Sequence, residues 1–279
     1  MQYENPQIPE DINTSKENPL KEFSTLLIGS IALVILVSLV LSVGGSWLAG
    51  LIPYNAEKKV AGLYDVSAHD DNKEHQQITE YLQQLADKIS KTQNLPEEIK
   101  IKIHYMHSDT MNAFATLGGN VFMFKGLLEK LPNENTLVTL LGHEIAHVKY
   151  RHPIKSLGSG IAVSIAMTTL GRSADSQILG DTGLLSTLHF SREMEKQSDL
   201  EAMNTLQALY GHLNGGAELF RIFHNERAAM DSKAPAEFFS THPLDEKRIQ
   251  SFSNTAKEKG WAETGTLTPL PDFYRNAFN

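Results

Sequence analysis

His143, Glu144 and His147 spell HEIAH inside a helix-forming run from Leu137 to Tyr150, and this pattern limits the chain's architecture more than any other feature. Residues four apart on an α-helix share a face, so the two imidazoles can meet one zinc ion while Glu144 stands beside it. A carboxylate there can take a proton from a water that the metal has acidified, which is the chemistry of peptide hydrolysis. Asn133 or Asn135 can cap the helix after Pro132, and Pro153 ends it after Lys149 and Arg151. Leu137, Val138, Leu140, Leu141, Ile145 and Val148 predict one apolar stripe along it.

A hydrolytic zinc site needs a third protein ligand and an open position. A third histidine in the order HExxHxxGxxH is excluded, because Tyr150 stands at the glycine and Pro153 at the last place. The other solution is a Glu on a later helix, followed four residues on by an Asp that holds a ligand imidazole through its second nitrogen. Glu195 is the one Glu with an Asp at that spacing, Asp199, in the run Ser191-Arg192-Glu193-Met194-Glu195-Lys196-Gln197-Ser198-Asp199. The expected ligands of one ion per chain are therefore His143, His147 and Glu195, with Asp199 behind them. Arg192 is expected to pair with a buried carboxylate.

Four separated pieces now stand in one order: Asn112-Ala113-Phe114 leading to Gly118-Gly119, HEIAHVKYRHP, SREMEKQSD, and Thr241-His242-Pro243. Over roughly Glu74 to Ser253 the chain resembles the CAAX prenyl protease family of zinc endopeptidases, the gluzincins of the HtpX, BepA and Oma branch. The resemblance implies a zincin-like metallopeptidase domain. It also implies a substrate-binding strand at Asn112, Ala113, Phe114, Gly118 and Gly119, and a catalytic His242 near the zinc. There His242 would either stabilise the oxyanion or occupy the open metal position and hold the protein latent. One departure is plain: the family pattern SRxxExEAD has Glu and Ala where this chain has Gln197 and Ser198.

The fold class expected is α+β, mainly α, with a transmembrane helix at the N-terminus and a small β-sheet beside the HEIAH helix. Residues 1–22 are polar and acidic and read as a disordered tail. From Leu26 to Val43 no charge occurs, and Phe23 to Val43 is long enough to cross a bilayer, so 23–53 is expected to be an anchor with Trp47 and Tyr54 at the interface. A soluble secreted protein would follow instead if the mature chain began near Gly45. Lys16 and Lys21 before the span nearly balance Lys58 and Lys59 after it. The resemblance to single-span bacterial enzymes implies the inner membrane, with the catalytic domain on the periplasmic side. A net charge of −8 without a basic cluster argues against nucleic acid as a partner, and the absence of cysteine removes thiolate ligands and thiol nucleophiles. The partners expected are a protein or peptide substrate and the membrane. The rival reading is a latent or non-cleaving, chaperone-like zinc protein.

The remaining divisions are a linker over 54–73, a catalytic domain over 74–259 and a C-terminal tail over 260–279. Within the domain, Ile78, Leu82, Leu85 and Ile89 predict an amphipathic helix. Ile99 to Tyr105 predicts a half-buried strand whose polar face holds His104, and Asn112–Leu117 with Asn120–Phe124 predicts a hairpin turning at Gly118-Gly119. His69 and His75 are expected to be solvated. Ile154–Leu170 reads as a helix on the core and 171–183 as a mobile loop that could gate the cleft. Further helices are expected over 184–213 and 217–227, and a last one starting at Thr241.

Overall fold

The computed structural model describes residues 18–62, 72–159, 188–229, 238, 242 and 247–278. Among the described residues it is mainly helical, with a three-stranded mixed sheet. Helix α1 (Pro19–Gly50) is capped by Asn18 and runs further than the predicted span. At 1.5 Å per residue it is about 48 Å long, more than the ~30 Å of a hydrocarbon layer. Leu26, Ile28, Leu33, Ile35, Leu39 and Val43 are all exposed on it. It is long and apolar enough to cross a membrane. Its C-terminal end packs on the helical segment 152–159, where a Cβ added to Gly158 would lie 2.4 Å from Ala49 Cβ and 2.5 Å from Gly45 O. Only glycine allows that approach. The predicted loop 171–183, the remainder of the 154–170 helix and His69 lie outside the described residues.

The segment expected as a linker is partly helical and docked: α2 (Tyr54–Ala61) buries Tyr54 and Glu57. Tyr54 joins the main core and is not an interfacial residue. Glu57 Oε1 accepts the Gly118 N–H at 3.1 Å, and Glu57 Oε2 accepts from Nε and Nη2 of Arg151. One buried carboxylate thus ties the chain leaving α1 to the hairpin turn and to the end of the HEIAH helix. Glu57→Ala is expected to cost about 2–3 kcal/mol, below the range for fully buried pairs because Arg151 keeps some solvent contact. A urea midpoint equal to that of the wild type would reject this tie.

Helix α3 (Lys73–Thr92) buries Ile78, Leu82, Leu85, Ala86 and Ile89, as its periodicity predicts. Strands β1 (Lys102–Met106), β2 (Ala113–Ala115) and β3 (Asn120–Phe124) lie in the order β1-β3-β2. The hairpin forms, with Phe114 opposite Phe122, and a 3-10 turn at Leu117–Gly119 connects its arms. Gly118 and Gly119 have φ of 74° and 83°, a region costly for other residues. β1 pairs parallel with β3, so β2 has only one neighbour among the described strands. β1 starts later than the predicted strand: Ile99 and Ile101 are buried but precede the pairing. His104 stacks on Phe122 and meets Asn120 Oδ1, while His75, expected in solvent, is half-buried and stacks on His107.

After the short α4 (Lys125–Leu128), α5 (Glu134–Lys149) carries HEIAH. Asn133 is its cap, with the side chain accepting from Thr136 N at 2.9 Å; Asn135 is buried and accepts the Thr268 N–H. The predicted single stripe is exceeded, since every side chain from Asn135 to Val148 is buried. Helix α6 (Arg192–Tyr210) starts at the Ser191 cap and ends at Gly211, shorter at both described ends than expected. Helices α7 (Gly216–Ala229) and α8 (Lys247–Lys259) follow, and α8 begins after His242, which itself lies on a bend. The expected C-terminal tail is instead part of the core. Leu213 N–H donates to Ala262 O, and Tyr274, in α9 (Asp272–Asn276), is buried with its hydroxyl donating to Leu128 O at 3.0 Å.

Candidate metal centre

The site forms where α5 crosses α6. Gly142 faces Ala202 across the crossing, where a Cβ would make ordinary van der Waals contact with Ala202 Cα at 3.5 Å, and its carbonyl accepts from Gln93 Nε2. One turn of α5 presents His143 and His147, whose Nε2 atoms are 3.0 Å apart. The facing turn of α6 presents Glu195 and Asp199, both buried. Glu195 Oε1 is 3.3 Å from His147 Nε2 and Glu195 Oε2 is 3.5 Å from His143 Nε2. His242 completes the group: its Nδ1 lies 3.0 Å from Glu195 Oε1 and 3.4 Å from His143 Nε2.

His143, His147, Glu195 and His242 together could hold a metal ion. Ligands about 2.0–2.1 Å from a tetrahedral zinc lie about 3.3 Å from one another, close to the separations here, and imidazole nitrogen with carboxylate oxygen is a donor set that suits zinc. Two nitrogens 3.0 Å apart with their lone pairs converging are unfavourable unless a cation or proton lies between them. Both oxygens of buried Glu144 and Nε2 of His242 lack a hydrogen-bond partner among the described residues, and the two side chains are 3.6 Å apart. These buried polar atoms without hydrogen bonds, close to one cluster, suit an ion and a reacting group.

Asp199 holds the site from behind. Its Oδ1 is 2.9 Å from His143 Nδ1, so that nitrogen donates and Nε2 keeps its lone pair for the cluster. Arg248, on α8, grips Asp199 through Nε and Nη2 and reaches Glu195 Oε2 with Nη1 at 2.8 Å. Arg192, by contrast, is exposed; the buried carboxylates are met by Arg248. Burial alone would raise the Asp199 carboxyl, but Arg248 and His143 outweigh it and hold it below its ordinary range. Burial likewise opposes a charged Glu195, and His242, His143 and His147 overcome it, holding that carboxyl far down. His143 is pulled down by burial and, more strongly in sum, up by Asp199 and Glu195, to about 9. His147 has no such carboxylate behind it, and burial drives it well below the usual value.

Phe190 lies against His147 with ring centroids 4.0 Å apart, and Phe238 stacks on His242. Sequence reasoning assigned neither ring, and it assigned no role to His152, which is buried with Nδ1 3.0 Å from His147 Nδ1. His152 stood in the open, five residues past His147, but Arg151 with φ of 58° turns the chain back, which no spacing rule anticipates. Of the strand residues, Asn112 and Ala113 are buried and Phe114 stacks on Phe122, while β2 packs beside α5. Gly118 and Gly119 are taken up by the turn and its contacts with Glu57 and Lys100, not by the metal cluster.

A family model described as Peptidase family M48 matches residues 74–256. The mitochondrial metalloendopeptidase OMA1 of Schizosaccharomyces pombe is 32% identical over 166 residues, which is 58% of this chain and 48% of that protein. The corresponding protein of Saccharomyces cerevisiae is 28% identical over 195 residues, 67% of this chain and 56% of the relative. The beta-barrel assembly-enhancing protease of Escherichia coli is 28% identical over 199 residues, 65% and 39% of the two chains. The chain therefore spans about half the length of these relatives or less. With the family match reaching from α3 into α8, and so enclosing both helices that meet at the cluster, the chain belongs to Peptidase family M48.

Proposed function

We propose that the protein is a membrane-anchored zinc metalloendopeptidase. The observation that carries this is the convergence of His143, His147 and Glu195 on one point beside the buried carboxylate of Glu144, neither oxygen of which has a hydrogen bond among the described residues. Zinc bound by those three residues would supply Lewis acidity, polarising the scissile carbonyl and acidifying the attacking water. Glu144 accepts the water's proton as the oxygen adds to the carbonyl carbon, then delivers that proton to the amide nitrogen as the C–N bond breaks. Asp199 keeps His143 in the required tautomer, Arg248 neutralises the paired carboxylates, and Phe190 and Phe238 exclude water from the rings they cover. β2 offers an edge on which an extended peptide can add as a further strand, held by backbone hydrogen bonds that demand little of its sequence. Asn112, Ala113 and Phe114 would lie along that edge.

The substrates proposed are misfolded or misassembled envelope proteins, supported by the similarity to a relative named for enhancing β-barrel assembly. The anchor is α1, and the location proposed is a bacterial inner membrane with the catalytic domain in the periplasm. We read His242 as giving the resting protein a latent character: its Nδ1 lies 3.0 Å from Glu195 Oε1 and 3.4 Å from His143 Nε2, so it would compete with water for an ion held by the other three residues. Cleavage of an unfolded reporter by the zinc-loaded chain tests the whole reading, with Glu144→Gln as the control. His242→Ala is expected to raise cleavage about tenfold, the equivalent of ~1.4 kcal/mol of closure removed. A fall instead would make His242 an oxyanion donor. No cleavage by any zinc-loaded form would favour a binding, chaperone-like protein.

A further inference from the structure

The two ligand histidines on α5 are held from behind by unlike partners. His143 Nδ1 meets a carboxylate, Asp199, at 2.9 Å. His147 Nδ1 meets another imidazole, Nδ1 of His152, at 3.0 Å. His152 is buried and is not among the residues grouped around the cluster. Its far nitrogen, Nε2, lies 3.1 Å from Gln197 Oε1, and Ser198 Oγ lies 3.5 Å from its Nδ1. Gln197 and Ser198 are the two positions at which this chain departs from the SRxxExEAD pattern, and both departures fall on one unassigned histidine.

We infer that His152 is a positioning residue for the metal centre, one that fixes the tautomer and ring orientation of His147 through a relay ending at Gln197. Only one order of protons along the relay is compatible with a metal at His147 Nε2. Gln197 Oε1 can only accept, so His152 Nε2 donates to it. His152 Nδ1 then carries a lone pair and accepts the Nδ1–H of His147, which leaves His147 Nε2 unprotonated and aimed at the cluster. In the reverse order the Gln197 amide N–H would donate to His152 Nε2 and His152 Nδ1–H to His147. His147 Nε2 would then carry its proton toward His143 Nε2, 3.0 Å away, and could bind no ion. The need for an unprotonated His147 Nε2 therefore sets the direction of the relay, and Gln197 Oε1, 3.1 Å from His152 Nε2, supplies the acceptor at its end. Arg151 provides the turn that makes it possible, because its left-handed backbone brings His152 back over the end of α5.

This inference rests on the zinc reading above, and its test separates the two. Zinc affinity of the full chain in detergent is measured by competition with a chromophoric chelator for the wild type, His152→Phe and His152→Asn, and thermal unfolding of the chelator-treated forms is followed in parallel. His152→Phe keeps a ring but loses the acceptor, and its zinc affinity is expected to fall about 10–100-fold, the range typical of lost outer partners of ligand histidines. His152→Asn places an amide oxygen where Nδ1 was and is expected to recover most of that loss. Wild-type affinity in His152→Phe overturns the relay, as does a loss in His152→Asn equal to that in His152→Phe, which would mark a role in packing. Wild-type chain that takes up no zinc overturns the metal reading and the relay with it.

Discussion

Glu144→Gln is expected to take up as much zinc as the wild type and to lose about 10²–10⁴-fold in peptide hydrolysis, the usual contribution of a positioned general base. The split between binding and turnover follows from geometry. Glu144 is on α5 beside His143, but neither of its oxygens belongs to the ligand group, so an isosteric amide leaves the ligands in place. The amide cannot accept a water proton and return it to a leaving amine. Burial sharpens the effect, because among the described residues no other carboxylate stands free beside the cluster: Glu195 and Asp199 are committed to histidines and to Arg248. Metal content measured alongside reporter cleavage checks both halves. Undiminished proteolysis in the variant would remove Glu144 from the mechanism, and loss of zinc would make it a structural residue.

Zinc removal is expected to produce the other large change, in stability as well as in activity. An ion that binds only the folded chain stabilises it by about 4 kcal/mol when its free concentration is a thousand times its dissociation constant. For a domain of this size that corresponds to an unfolding temperature about 8–16 °C lower after chelation. The cause is visible in the cluster: two imidazole nitrogens 3.0 Å apart and a buried carboxylate lose the charge that reconciles them. Glu195→Ala should remove much of the difference between zinc-loaded and chelated protein, because it takes away the one carboxylate of the group and leaves only imidazoles to balance the ion's charge. Differential scanning of both proteins with and without chelator reads this directly. Equal unfolding temperatures for the wild type in the two conditions would mean that the cluster holds no ion.

Much of the centre was legible because helical spacing is local. His143 with His147, and Glu195 with Asp199, each lie one turn apart on their own helix, so each pair could be placed on a face before any tertiary contact was known. The cap at Asn133, the apolar face of α3 and the hairpin around Gly118-Gly119 are equally local, since they depend on dihedral preference and on alternation within a few residues. The contacts between those pieces had no such signal. Nothing in the spacing of α5 announces that it is buried on every side, that Arg248 from α8 joins Asp199 and Glu195, or that His152 turns back onto His147 through a left-handed Arg151.

The pairing of β1 with β3 past β2 in the sequence, the docking of α2 through Glu57, and the burial of Tyr274 from a stretch expected as a C-terminal tail all join distant parts of the chain. Such contacts depend on which surfaces remain uncovered after the local elements have formed, and that is a property of the assembled core. Residue identity and helical periodicity were enough to nominate His143, His147 and Glu195, which the fold brings into one group that could hold a metal ion. Packing decided which imidazole Asp199 holds and that His152 meets the other, because a contact between separate segments is specified by how they pack and not by either segment.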